Sequence, residues 1–180
     1  MNGHFATRFL DEHGNWKDQT KMKNSSSDVS PTAAQMPRLV GLAWASKLYR
    51  QNPQLHNYTQ FSIHGSEVAF GTIGNASTSE GIFFESINAA AVLQIPMVLS
   101  IWDDGYGISV PNELHTPKSD ISKVLEGFRR SESERGLELY RVEGWKYHEL
   151  IKVYEHATKL ARERHIPSII HVADMTQPLG

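Results

Sequence analysis

The chain has 180 residues, of which 39% are hydrophobic, and its formal net charge is −2. That length allows one domain with a sizeable core, and the near-neutral charge disfavours binding to nucleic acid or to anionic lipid. The sequence has no cysteine, which excludes disulfides, and no apolar run long enough to span a bilayer. We therefore expect a cytoplasmic protein without a membrane or nucleic-acid partner.

Strands and helices are predicted to alternate along most of the chain. Residues 11–30 are polar and contain a run of serines, which indicates a long surface loop. In the segment 31–50 the apolar residues have helical spacing, with Ser30 as a possible cap; Pro37 either kinks this helix or marks where its regular part begins. Further strands are predicted at 67–74, 95–102, 137–144 and 167–175, and further helices at 78–94, 119–133 and 146–165. This order predicts a single α/β domain, a three-layer structure with a parallel sheet covered by helices on both faces.

The turn after the first strand is predicted to bind a phosphate. Residues 74–76, Gly-Asn-Ala, follow that strand, and Ser77 and Glu80 form a Ser-x-x-Glu capping box with a helix start near Thr78. A helix N-terminus directs backbone N–H groups and the positive end of its dipole at such a turn, which suits an anion. The alternative is an ordinary helix entry.

The turn after the next strand is predicted to bind a metal ion. Asp103, Asp104 and Tyr106 lie there, and neighbouring parallel strands would bring them beside Asn75. Carboxylate, amide and carbonyl oxygens are the hard donors that Mg²⁺ takes, and the ion completes its shell with waters and phosphate oxygens. The two turns together predict a magnesium–diphosphate site, although Asp-Asp-Gly by itself is also a common plain turn.

Residues 74–109 resemble the thiamine-diphosphate motif, which begins Gly-Asp-Gly and ends Asn-Asn. The chain is most similar to the alpha subunit of the decarboxylating component of 2-oxo acid dehydrogenase complexes, and the similarity covers essentially its whole length. Residues 1–4 and 30–37 look like the branched-chain type, and residues 141–144 are similar to the family's Arg-Val-Asp-Gly. The resemblance implies a thiamine-diphosphate-binding fold.

The same resemblance assigns roles to individual residues. It implies that Asn75, Asp104 and the carbonyl oxygen of Tyr106 bind Mg²⁺. His4 matches a histidine of the family's active site and is the catalytic candidate; the alternative is a solvated histidine near the terminus. The other implied positions contact thiamine diphosphate, and they are Ser30, Thr32, Gly74, Ala76, Ser77, Glu80 and Ile108.

Several positions depart from the family pattern. The metal-binding Asp of the family is Asn75 here and its metal-binding Asn is Asp104, so one carboxylate and one amide are kept. Asp103 adds a negative charge near a diphosphate, which is unfavourable unless it points away or is paired. Trp102 stands where the branched-chain type has a diphosphate-binding Arg. Thr32 replaces a larger apolar residue, and Ala34 replaces a Thr linked to a potassium site, which makes potassium binding doubtful.

By resemblance, the protein would decarboxylate a 2-oxo acid, with branched-chain acids favoured, and pass the acyl group to a lipoyl group on an acyltransferase partner. The family's beta subunit, or a fused beta half, supplies the glutamate that activates the cofactor. We expect the chain to be truncated at both ends and to be inactive alone. Two alternatives stay open: another thiamine-diphosphate enzyme acting on pyruvate, on acetoin or in the manner of transketolase, and a non-catalytic assembly module whose site has drifted.

Overall fold

A computed structural model of the protein describes residues 6–27 and 29–175. The strands in this part of the chain are β1 Ala69–Gly74, β2 Met97–Trp102, β3 Tyr106–Gly107, β4 Val110–Pro111, β5 Glu138–Glu143 and β6 Ser168–Ala173. Four of them form a parallel sheet in the order β1-β2-β6-β5, and β3 and β4 pair as a short antiparallel hairpin. The helices are α1 Gln35–Gln51, α2 Gly81–Leu93, α3 Ile121–Leu125 and α4 Tyr147–Arg164.

The two central strands, β2 and β6, are buried on both faces, because their side chains alternate between the faces and helices cover both sides of the sheet. On β2, Met97, Leu99 and Ile101 belong to the core that includes residues of α1, α2 and α3. Val98 belongs to the opposite core, together with Ala157 of α4. The three-layer α/β architecture predicted from the sequence is therefore confirmed.

The first long helix begins later than the sequence predicted. It starts at Gln35 with Ala34 as its N-cap, so Ser30 does not cap it. Ala33 has φ of 60°, so the chain makes a tight turn just before the helix. Pro37 is then the third helical residue, where its missing N–H would have had no helical partner in any case. Of the two alternatives left open for Pro37, a kink or the start of the regular helix, the structure agrees with the second.

Another helix is much shorter than predicted. The helix expected over 119–133 ends at Leu125 and continues only as a 3-10 turn to Phe128; the side chain of Asp120 caps it by accepting from the N–H groups of Ser122 and Lys123. The surface segment between residues 11 and 27 contains a short 3-10 helix, Gln19–Lys21. In the described ranges, no helix is both long and apolar enough to cross a membrane.

The C-terminal end of α4 provides a test of acid stability. His165 follows the helix with φ of 54°, is buried, and its Nε2 lies 2.9 Å from the carbonyl oxygen of Gly65. Burial lowers the pKa of His165 below its ordinary value of 6.5. The unfolded chain therefore takes up this proton more readily, so the contribution of His165 to stability is complete above pH 6.5 and is lost as the pH falls below it.

We expect His165→Asn to reduce the loss of unfolding free energy between pH 7.5 and pH 5, because asparagine tolerates the left-handed conformation and does not titrate. Urea unfolding at the two pH values measures this loss. His148→Asn, at an exposed position in the same helix, is the control and should keep the wild-type difference. An unchanged pH dependence in His165→Asn would show that burial of this ring does not limit acid stability.

Candidate functional site

The candidate site lies where β1 and β2 end side by side. In the register of the sheet Gly74 pairs with Trp102, and the N–H of Asn75 donates to the carbonyl oxygen of Trp102 at 3.0 Å. The turns that follow the two strands are therefore held against each other, as predicted from the order of the elements. This edge, at the carboxyl ends of parallel strands, is where open α/β sheets bind ligands.

The first turn is not the capped helix start that the sequence predicted. Residues Ala76–Ser79 form a 3-10 turn, and α2 begins only after Glu80, its N-cap, which makes no side-chain capping hydrogen bond. The hydroxyl and the N–H of Thr78 both donate to the carbonyl oxygen of Asn75, and this tightens the turn. The prediction of a Ser77–Glu80 capping box is therefore wrong, because a 3-10 turn precedes the α-helix.

The second turn is shaped by its two aspartates and by glycine. Asp103 Oδ1 accepts from the N–H of Gly105 at 2.8 Å, and Asp104 Oδ1 accepts from the N–H of Tyr106 at 3.1 Å. Gly105 has φ of +88°, which a glycine adopts without strain. A Cβ added at Gly107 would lie 2.5 Å from the Cβ of Ala76, so glycine at 107 allows the two turns to touch.

A pocket with a volume of about 470 Å³ opens between these turns. Its size is typical of sites for cofactors and small molecules. It is lined by Thr32, Gly74, Asn75, Ala76, Ser77, Trp102, Asp104, Tyr106, Gly107, Ile108 and Met175. Eight of the eleven residues proposed from the sequence line it. Of the other three, Ser30 and Glu80 do not line it, and His4 lies outside the described residues.

The oxygen donors in this pocket suit a hard divalent cation. Asn75 offers an amide and Asp104 a carboxylate. Tyr106 pairs with Pro111, which has no N–H and cannot donate to the Tyr106 carbonyl oxygen. Within the described ranges, no three Asp, Glu or His side chains gather as a metal site. One carboxylate with neutral oxygens leaves room for waters and phosphate oxygens, which is the shell that Mg²⁺ prefers.

Asp103 is not an unpaired charge beside the pocket. It is buried, and its Oδ2 lies 2.8 Å from His171 Nε2 while its Oδ1 accepts from Asn112 at 2.9 Å. Burial would raise the pKa of Asp103, but the hydrogen bonds from His171, Asn112 and Gly105 outweigh it and hold the pKa below its ordinary value. The sequence left open whether this carboxylate points away or is paired; the structure pairs it.

Trp102 brings no positive charge to the pocket that it lines. Its indole N–H donates to Ser100 Oγ at 3.0 Å, and Ser100 in turn bonds to the hydroxyl of Tyr154 at 2.6 Å. None of the described residues that line the pocket is a lysine, an arginine or a histidine. A diphosphate here would meet its counter-charge chiefly in the metal ion.

Two residues of this region were missed in the sequence. Asn112 lies eight residues beyond Asp104, and nothing in the local pattern marks it. His171 carried a usable signal, since a histidine inside the apolar run 167–173 is buried in the sheet and needs partners. Its Nδ1 lies 2.7 Å from Ser122 Oγ, so the ring joins α3 to the turn after β2.

Comparison with known proteins decides the family. The sequence profile of the family described as "Dehydrogenase E1 component" matches residues 6–173. The chain belongs to this family. The family resemblance expected from the sequence is thereby confirmed.

Relatives of the chain include dehydrogenase alpha subunits. The 2-oxoisovalerate dehydrogenase subunit alpha of Bacillus subtilis (strain 168) is 30% identical over 135 residues, which is 75% of this chain and 33% of that protein. The mitochondrial subunit of the same name from Homo sapiens is 30% identical over 75% of this chain and 25% of its own length. The pyruvate dehydrogenase E1 component subunit alpha of Rickettsia felis is 24% identical over 77% of this chain and 36% of its own length. The chain spans only about a quarter to a third of the length of these relatives.

Solved structures with the same fold include two transketolases. The enzyme from Campylobacter jejuni subsp. jejuni NCTC 11168 superimposes with a TM-score of 0.59 at 18% identity, covering 81% of this chain and 20% of that one. The enzyme from Leishmania mexicana gives 0.59 at 16% identity, over 80% and 20%. At this identity the likeness establishes the fold, and the fold predicted from the sequence is confirmed.

Proposed function

We propose that the protein is the alpha part of a thiamine-diphosphate- and Mg²⁺-dependent enzyme that oxidatively decarboxylates a 2-oxo acid and transfers the acyl group to a lipoyl group. A branched-chain acid is favoured, because alpha subunits of 2-oxoisovalerate dehydrogenase are prominent among the relatives. The observation that carries the proposal is the meeting of Asn75, Asp104 and Tyr106 in one pocket at the ends of two neighbouring parallel strands.

In this proposal each part of the pocket has a physical task. Asp104 and Asn75 hold Mg²⁺ through a carboxylate and an amide oxygen, and the Tyr106 carbonyl oxygen adds a third donor. A Cβ added at Gly74 would meet nothing within 4 Å, which leaves space at the backbone for the diphosphate. Ile108, with φ of 58° and 93% exposure, stands at the mouth of the pocket and is available to contact the cofactor rings. Thiamine diphosphate, when bound, supplies the carbanion-stabilising chemistry that side chains lack.

Exposed hydrophobic residues at the pocket support the proposal of a partner protein. Trp102, Tyr106 and Ile108 line the pocket and are exposed large hydrophobic residues. Such side chains grouped around a site are typical of an interface. We propose that a beta subunit or a fused beta half covers them, that a lipoyl-bearing acyltransferase receives the acyl group, and that the chain alone is inactive. The cytoplasmic location stays a prediction, since the relatives include mitochondrial proteins.

Titration of the full chain with thiamine diphosphate tests the proposal through the fluorescence of Trp102, which lines the pocket. We expect a saturable change when Mg²⁺ and thiamine diphosphate are both present, and none with Mg²⁺ alone or with thiamine lacking the diphosphate. Because three other tryptophans are present, Trp102→Phe is the control that should abolish the change. No saturable change, even with the beta part added, would contradict cofactor binding.

Among the described residues, no cationic side chain lines the pocket, which favours one alternative, a non-catalytic module whose site has drifted. This observation leads to a prediction. We expect Trp102→Arg to tighten thiamine-diphosphate binding roughly tenfold, because a guanidinium adds charge-assisted hydrogen bonds to the diphosphate. Trp102→Met, which removes the indole without adding charge, is the matched control. Calorimetric titration with Mg²⁺ present measures both affinities, and equal values for the two variants would place the diphosphate elsewhere.

A further inference from the structure

A chain of hydrogen bonds runs from the interior of the sheet to the proposed metal ligand. His171 on β6 is bonded to Asp103, Asp103 accepts from the amide of Asn112, and Asn112 accepts from the amide of Asn75 at 2.6 Å. The inner members, His171 and Asp103, are 1% and 6% exposed. These bonds are therefore shielded from water, which would otherwise compete for them.

The direction of each bond is fixed by chemistry. An ionised carboxylate can only accept, so Asp103 must receive a proton from the nitrogen of Asn112 and not face its oxygen. Asn112 then presents its Oδ1 on the other side, and only the nitrogen of Asn75 can donate to that oxygen. Asn75 is left with its Oδ1 as the outer atom of the amide. Among the described residues, none donates a hydrogen bond to this Oδ1.

We propose that Asn112, held by Asp103 and His171, is a positioning residue that keeps the Asn75 amide oxygen towards the metal. This inference rests on the proposed function. An amide has one oxygen and one nitrogen, and the nitrogen repels a cation, so an amide ligand must be held in one orientation. A carboxylate has two equivalent oxygens and needs no such control. Asn112 thus supplies the hydrogen bond that orients an asparagine at position 75. An aspartate at that position would not require it.

The role predicts a specific coupling between positions 75 and 112. Asn112→Ala should weaken Mg²⁺ binding in the presence of thiamine diphosphate by roughly tenfold, because the Asn75 amide can then turn its nitrogen towards the ion. In the Asn75→Asp background the same Asn112→Ala change should have little effect. A merely structural role for Asn112 would instead weaken binding equally in both backgrounds. Isothermal titration of the full chain measures the four affinities. Asn15→Ala, which removes an amide bonded to Asp11 in the surface segment, is the neutral control.

A second measurement needs neither the metal nor a change at Asn112. Nuclear magnetic resonance of the Asn75 side-chain amide in the wild-type full chain, assigned by its loss in Asn75→Asp, should show slow hydrogen exchange. Fast exchange would overturn the proposed orientation. If the amide is protected but Mg²⁺ does not bind, the proposed function fails and the metal-positioning role fails with it. If Mg²⁺ binds and Asn112→Ala weakens both backgrounds equally, the positioning role alone fails.

Discussion

Asp104→Asn is expected to weaken Mg²⁺ binding by roughly 100-fold, or about 2.7 kcal/mol, measured by calorimetry with thiamine diphosphate present. Asp104 is the only charged side chain among the described residues that line the pocket. Removing its charge would leave only neutral donors from the protein, so a bound ion would find negative ligands only in the diphosphate. The loss should appear in metal affinity, while the melting temperature changes little.

Two variants make this result specific. Asp174→Asn removes a neighbouring exposed carboxylate at the end of β6 that does not line the pocket, so it should bind Mg²⁺ like wild type. The double variant Asn75→Asp/Asp104→Asn moves the carboxylate to the other turn and should recover part of the lost affinity. Wild-type affinity in Asp104→Asn would show that the ion does not bind this carboxylate.

Gly74→Val is expected to leave the fold intact and to reduce thiamine-diphosphate binding by more than tenfold. A Cβ at this position meets no atom within 4 Å, and the residue ends a β-strand, where valine is favourable. The added methyl groups would therefore occupy the pocket and not the core. Thermal unfolding should change by only a few degrees, while fluorescence titration should show the loss of binding.

The matched control is Gly41→Val, on an exposed face of α1 away from the pocket, where an added Cβ also meets nothing within 4 Å. It should bind the cofactor as wild type does. If Gly74→Val bound the cofactor normally, the space beside Gly74 would not be the diphosphate position. If both variants lost binding together with their fold, the effect would be structural.

Much of this fold is readable from the sequence, because local patterns determine it. The apolar run 95–102 is best interpreted as a buried strand, and β2 lies within it. The helical spacing of apolar residues around 150–157 predicts α4 to within a residue at each end. The start of α2 was misjudged because Ser77 and Glu80 fit a local capping pattern. Hydrogen bonds from Thr78 to Asn75 instead form a separate 3-10 turn first.

The site was predictable only in part. Neighbouring strands brought Asn75 and Asp104 to one pocket, as their positions after β1 and β2 indicated. Asn112 was not predictable, since it reaches Asn75 from 37 residues away through the hairpin of β3 and β4. The pairing of Asp103 with His171 spans 68 residues and exists only in the folded sheet. Local spacing contains no information about such contacts.

The exchange of the metal-binding Asp and Asn of the family pattern gains a physical meaning from these contacts. With an amide at position 75, the site requires a group that orients it, and Asn112 is in place to do so. With a carboxylate at 104, a bound divalent ion would keep one negative ligand. We therefore interpret the altered motif as an arrangement that still fits a divalent ion, and not as decay of the site.

Anomalous diffraction from crystals of the full chain grown with Mn²⁺ and thiamine diphosphate tests the central claim most directly. The account predicts one strong peak between the two turns, roughly 2.1 Å from Asn75 Oδ1, from an Asp104 carboxylate oxygen and from the Tyr106 carbonyl oxygen. Bound cofactor with no peak there, or a peak held by other side chains, would contradict it.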